Sequence, residues 1–281
     1  MHRAFSVAVL LAAVASRVPA QLRPAEPAGQ VAPLVVGETF TIASRTLGEV
    51  RRINVYVPPG YADSPDARLP VLYMPDGGIA EDFLHVAGLV QVSVGNGTMR
   101  PFLLVGIENT ERRRDMTGPT DRDEDKRIAV RVGGSAPFRT FIRTELMPSV
   151  KARYRTTGES AVVGESLAGL FVVETFFLEP DLFDTYIALD PSLWWNDQQL
   201  VKEAGDRLRK RREVPNTLFL ANSSEPQLAE LTGRLAAVLR AGAFPALAWH
   251  FLPLPEETHA TIYHPAALRA FRTLFKPAPA K

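Results

Sequence analysis

From about residue 69 onward the chain alternates short apolar runs with longer stretches whose apolar residues recur every three or four positions. The runs Leu69–Met74, Phe102–Ile107, Ala161–Val163, Tyr186–Leu189, Thr217–Ala221 and Ala248–Leu252 are too short for helices and read as buried strands. Between them, Glu81–Val94, Pro137–Tyr154, Leu167–Leu178, Gln198–Arg211, Gln227–Ala241 and Pro265–Phe275 carry the helical period. Parallel strands need a crossover between them, so this alternation predicts a mostly parallel sheet with helices on both faces. Ahead of it, Thr39–Ser44 and Arg51–Val57 flank Leu47-Gly48-Glu49, a hairpin signal, and Pro58-Pro59-Gly60 stops the second strand. The expected class is therefore α/β, with an antiparallel N-terminal hairpin.

Several chemistries are excluded by composition. The 281 residues include no cysteine, which rules out disulfides, thiolate metal sites and a cysteine nucleophile. With 32 basic and 31 acidic side chains, the formal net charge of +1 gives no electrostatic reason to expect nucleic acid as a partner. Met1–Ala20 places Arg3 ahead of an apolar run from Ala4 to Ala15 and small residues at Val18 and Ala20, which reads as a secretory signal peptide. The run is shorter than the roughly 20 residues that span a bilayer, and no later stretch is apolar enough, so the mature chain is expected to be exported, periplasmic or secreted, without a membrane span. Its removal takes away Arg3 and Arg17 and no acid, leaving a formal net charge of −1. Residues 21–36 form a proline-rich leader segment, 37–276 one domain and 277–281 a C-terminal tail. One long charged insertion, 111–133, has the character of a lid or binding loop.

The segment with the most chemistry is Ser160–Leu170, where a β-run breaks at Gly164-Glu165-Ser166 and continues directly as an apolar helix. A serine at such a turn presents its Oγ above the sheet, and the helix start aims N–H groups at an oxyanion formed there. Ser166 is the candidate nucleophile; the plain alternative is a helix N-cap. Of the histidines beyond the signal segment, His85 lies in a predicted helix and His250 inside the last strand. His259 sits in the loop after that strand, where the base is needed, with His264 the alternative nearby. An acid that orients the imidazole is expected between the two in sequence. Glu225, directly after the strand Thr217–Ala221, is the first candidate. Asp190 at the end of the preceding strand, Glu256 or Glu257 in the histidine's loop, and a dyad with no acid remain open. The oxyanion donors are expected to be the N–H of Leu167 and one from the Pro75-Asp76-Gly77-Gly78 turn.

These segments together resemble one family. Leu72-Tyr-Met-Pro-Asp-Gly77, Val105–Thr110 with Arg112 and Arg114–Thr117, Gly164–Leu170, Pro191-Ser-Leu-Trp-Trp195 and Glu257-Thr-His259 look like the putative esterase family of α/β-hydrolases, most similar to its ferric-siderophore, enterobactin-type esterase branch. The resemblance spans about 39–275. It implies the α/β-hydrolase fold, Ser166 as nucleophile, His259 as base, and Leu167 with the Gly77/Gly78 turn as oxyanion donors, Gly78 being favoured. The chain departs from the family in Ala168, where glycine is usual, in Glu165, where histidine is frequent, and in Asp190, where serine is common. Glu165 beside the nucleophile is expected to alter local acidities.

Trp194 and Trp195 follow a strand's carboxyl end, where they could stack on an aryl group, and Arg112 to Arg114 could attract an anionic substrate. The leading expectation is an exported serine carboxylic-ester hydrolase that forms an acyl-enzyme on a small-molecule ester, a siderophore-type lactone or another aryl ester, with no cofactor and no metal. The alternatives are a feruloyl or acetyl esterase on glycans, an acyltransferase, and a non-catalytic binding protein of the same fold. Oligomeric state is not legible.

Overall fold

The computed structural model describes residues 31–277, so the expected signal peptide, most of the leader segment and the end of the tail lie outside the described residues. From Val36 onward these residues form one compact unit.

Eight strands make a single sheet: β1 (Glu38–Ser44), β2 (Glu49–Tyr56), β3 (Leu69–Met74), β4 (Leu103–Ile107), β5 (Thr156–Glu165), β6 (Thr185–Leu189), β7 (Asn216–Asn222) and β8 (Leu247–Pro253). The order across it is β1-β2-β4-β3-β5-β6-β7-β8. β1, β2 and β4 pair antiparallel, and every pairing from β4 to β8 is parallel. The chain leaves β3 toward one edge to make β4, then crosses back to place β5 on the other side of β3. The neighbouring carboxyl ends of β3 and β5 therefore lie at the switch in strand order, where open α/β sheets bind ligands.

The helices are α1 (Phe83–Gly95), two single turns α2 (Arg112–Asp115) and α3 (Asp123–Lys126), α4 (Ser135–Phe141), α5 (Met147–Arg153), α6 (Leu167–Leu178), α7 (Trp195–Lys202), α8 (Ala204–Lys210), α9 (Pro226–Ala241) and α10 (Tyr263–Leu274). Side chains alternate across each strand, so Val71 and Tyr73 enter one core while Leu72 and Met74 enter the other. The first core is closed by α4 and α6 with Phe138, Phe141, Phe171 and Phe176, and the second by α1 and α10 with Phe83, Val86, Ala267 and Phe271. α6 is apolar nearly all round because it lies under other elements, and eleven of its residues are buried.

Three local features differ from the sequence expectation. The stretch read as one helix over 137–154 begins at Ser135 and widens into a π-helical turn at Ile142–Leu146. The stretch read as Gln198–Arg211 is two helices that meet at Glu203, next to Ala204-Gly205, where glycine weakens helix continuity. The polar start of β5 is recruited by pairing, since Leu69 faces Thr156 and Val71 faces Ser160.

Candidate active site

Ser166 stands between β5 and α6 with φ 60° and ψ −121°, a conformation that costs an L-residue roughly 1–3 kcal/mol and persists only where its surroundings enforce it. The enforcement is visible. The Ser166 N–H donates to Leu189 O at 3.1 Å, and its carbonyl accepts from Ser192 N at 3.0 Å. A Cβ on Gly164 would stand 2.6 Å from the Ala168 carbonyl carbon and 2.8 Å from the Ala168 methyl, so glycine is required there. Ala168 fits beside it and is fully buried.

His259 lies in the loop after β8. Its Nε2 is 3.1 Å from Ser166 Oγ, and its Nδ1 is 2.7 Å from Asp190 Oδ2. Asp190 closes β6 and has no solvent exposure. Its Oδ1 accepts the Ser223 backbone N–H at 2.9 Å and its Oδ2 the Ser223 hydroxyl at 2.7 Å. A carboxylate that accepts three hydrogen bonds is fixed in orientation. The hydrogen bond to Asp190 raises the His259 pKa above its usual value against the opposing effect of burial.

Glu225, the acid first expected, does not reach the imidazole. It occupies the N-cap position of α9, exposed at the edge of the site, and makes no hydrogen bond to His259. The physical reason is one of strand ends: Asp190 leaves the sheet one strand nearer the nucleophile, while after β7 the buried Ser223 supports Asp190 and Ser224 and Glu225 lie exposed. Glu256 is exposed, and Glu257 accepts from Thr261 Oγ1 at 2.6 Å. His264 is exposed on α10 with its ring 5.7 Å from that of His85. Ser223 is the supporting residue that the sequence reading missed, and a serine straight after β7 was the only trace of it.

The expected oxyanion donors divide. Leu167 begins α6, so its N–H has no partner within the helix and opens beside Ser166. The Gly77 N–H is taken by Ile107 O at 2.9 Å, and a Cβ there would stand 2.2 Å from Ile107 N, so this glycine serves the close approach of β4. The Gly78 N–H donates to Glu81 Oε2 at 2.7 Å. Both N–H groups of the turn are thus already partnered within the fold.

A cleft of about 390 Å³ opens over Ser166 and His259, lined also by Leu167, Ser192, Trp194, Leu228, Arg112 and Arg113. Of the expected binding residues, Trp194 is half-buried in this wall. Trp195 is buried, and its indole N–H donates to Gly118 O at 2.9 Å, so it pins the 111–133 insertion to the core rather than facing a ligand. The Arg112 guanidinium is bidentate to Asp76 at 2.7 and 2.8 Å. Arg114 pairs with Glu49, Glu111 and Asp115 and does not line the cleft. These two arginines anchor α2, which leaves Arg113 as the exposed cation of the trio.

Among the described residues, Glu165, Asp190 and His259 bring three potential metal-ligand atoms within 4.8 Å of one another. Asp190 and His259 already satisfy each other there.

Residues 44–221 match the family described as "Putative esterase". The chain belongs to that family. This esterase is 27% identical over 260 residues to the ferri-bacillibactin esterase BesA of Bacillus subtilis, an alignment covering 82% of this chain and 86% of that protein. It is 30% identical over 190 residues to the siderophore triacetylfusarinine C esterase of Aspergillus fumigatus, 61% of each chain being covered. The solved structure of an IroE-like serine hydrolase from Shewanella oneidensis matches it with a TM-score of 0.78 at 31% identity, over 85% of this chain and 80% of that one. The sheet order and this likeness identify the α/β-hydrolase fold, and the family makes the chain an ester-hydrolysing enzyme. Among the described residues no helix is long and apolar enough to cross a membrane.

Proposed function

We propose that the esterase uses Ser166, His259 and Asp190 to hydrolyse carboxylic esters through an acyl-enzyme, acting on siderophore-type lactones or related aryl esters after export. The observation that carries the reading is the continuous chain from Ser166 Oγ to His259 to Asp190 at the floor of the cleft. His259 Nε2 takes the Oγ proton as the oxygen attacks the ester carbonyl, while Asp190 holds Nδ1 protonated and stabilises the imidazolium. The N–H of Leu167 faces the oxyanion, reinforced by the positive end of α6. The imidazolium then protonates the departing alkoxide. Water, deprotonated by the same imidazole, releases the acid.

The substrate class is supported by the esters that the relatives' names specify and by a cleft wall that combines an indole with an exposed guanidinium, from Trp194 and Arg113. Export rests on residues 1–20 alone. The test is intact-mass detection of one phosphonate adduct, lost in Ser166→Ala, with product masses from ferric and iron-free siderophore lactones, simple aryl esters, and feruloylated and acetylated sugars. An adduct that persists in Ser166→Ala overturns the mechanism, and turnover confined to the sugars overturns the substrate class. Fractionation of cells expressing the full chain and a 21–281 form tests export: a full chain retained in the cytosol overturns it.

A further inference from the structure

Glu165 is a carboxyl that the Ser166–His259–Asp190 chain leaves unused. It ends β5 directly before the nucleophile, with its side chain 14% exposed. Its Oε1 is buried and makes no hydrogen bond. That same oxygen lies 3.2 Å from His259 Nδ1, the nitrogen that Asp190 Oδ2 approaches at 2.7 Å. An Nδ1–H can be given in full to one acceptor only, and Asp190 takes it. A buried carboxyl oxygen without a partner is unfavourable, so its position beside the base calls for a reason.

The surroundings of Glu165 bear on its charge. Burial pushes hardest toward the neutral acid, Asp190 and Asp76 push the same way, and His259 and Arg112 favour the carboxylate. Tyr263, whose buried hydroxyl has no hydrogen-bond partner, also lies within electrostatic reach. The balance raises Glu165 from 4.5 to about 8. Because His259 faces it, the two groups titrate as a coupled pair.

We propose that Glu165 is a second positioning residue for the base: it shares the Nδ1 side of His259 with Asp190, adds a negative charge there once ionised, and becomes the acceptor for Nδ1–H when Asp190 is removed. This inference rests on the assignment of Ser166 and His259 as nucleophile and base. Protonated, Glu165 adds no net charge and Asp190 works alone. Ionised, it places a second anion beside the imidazolium that forms when Oγ is deprotonated, which favours that state over the neutral imidazole of the resting enzyme.

The experiment uses the full chain and p-nitrophenyl acetate, with kcat/KM measured between pH 6 and 10 for the parent, Glu165→Gln, Asp190→Ala and Asp190→Ala/Glu165→Gln. The parent is expected to gain about three- to tenfold on the alkaline side through an inflection near pH 8, as suits one partly screened charge, and Glu165→Gln to lack that inflection. At pH 9.5 the double variant is expected to fall roughly tenfold or more below Asp190→Ala. An unchanged profile in Glu165→Gln, or a double variant as active as Asp190→Ala, overturns the proposal. Should Asp190→Ala fail to fold by circular dichroism, the Glu165→Gln profile decides alone. Ser166→Ala is run alongside: activity retained there overturns the mechanism, whereas activity lost there with either negative result overturns the role of Glu165 only.

Discussion

Asp190 is fully buried and accepts the His259 Nδ1 proton at 2.7 Å, whereas Glu225, 35 residues further along, faces solvent. Both oxygens of Asp190 also accept from Ser223, so an asparagine there must turn its NH2 toward either the Ser223 N–H or the imidazole N–H. Either choice sets donor against donor, and relief comes from the wrong imidazole tautomer. Asp190→Asn is therefore expected to lower kcat by about a thousandfold or more, and Glu225→Gln to stay within about threefold. Steady-state kinetics on a small aryl ester checks both, and the reverse ranking would return the acid's role to Glu225.

Nucleophile and base act in one proton transfer across the 3.1 Å contact between Ser166 Oγ and His259 Nε2. Ser166→Ala and His259→Ala are each expected to cost at least about three orders of magnitude in kcat/KM, and the double variant no more than the worse single one. Additive losses in such a cycle would show that the two side chains serve separate steps.

The paired tryptophans are expected to behave differently. Trp195 is buried against the first core and donates to Gly118 O, so Trp195→Ala should cost about 3–5 kcal/mol of stability and loosen the 111–133 insertion for every substrate. Trp194 lines the cleft, so Trp194→Ala should leave the melting temperature nearly unchanged while raising KM for aryl esters more than for acetyl esters. Thermal melts with KM values for the two ester types separate these outcomes.

The sheet and the elbow were legible because local rules agree with the fold there. Apolar runs of strand length alternate with helical periods, and Gly164-Glu165-Ser166 marks the turn in the chain itself. The acid was not legible, because it depends on how far each loop carries its side chain after neighbouring strands end. Asp190 and Glu225 both follow strands on the correct side of Ser166, and what decides between them is that Ser223 is buried against Asp190 while Ser224 and Glu225 stay exposed. The pairing of the arginines was hidden for a related reason. Arg112 and Arg114 look like a cationic rim in a charged run, yet their partners Asp76 and Glu49 come from distant strand ends, 36 and 65 residues away in sequence. Pairing at that range leaves no periodic trace.

The remaining prediction concerns stability and follows from the acidity of Glu165. In the unfolded chain this group ionises near 4.5, and in the folded protein it holds its proton to about 8. Across that window the folded state binds more protons than the unfolded state, so the stabilisation is complete below about pH 4.5 and is lost as pH rises through about 8. Above the window the fold carries a buried carboxylate that burial, Asp190 and Asp76 all disfavour, with only partial relief from His259 and Arg112. Glutamine has the same shape and no charge to bury. Glu165→Gln should thus gain stability relative to the parent as pH rises, by an amount on the order of 2 kcal/mol between pH 5 and pH 9, the coupling to His259 holding it below the full shift. Urea unfolding of both proteins at the two pH values measures the difference directly. A difference that does not change with pH would mean that Glu165 ionises alike in both states and is not held as an acid beside the base.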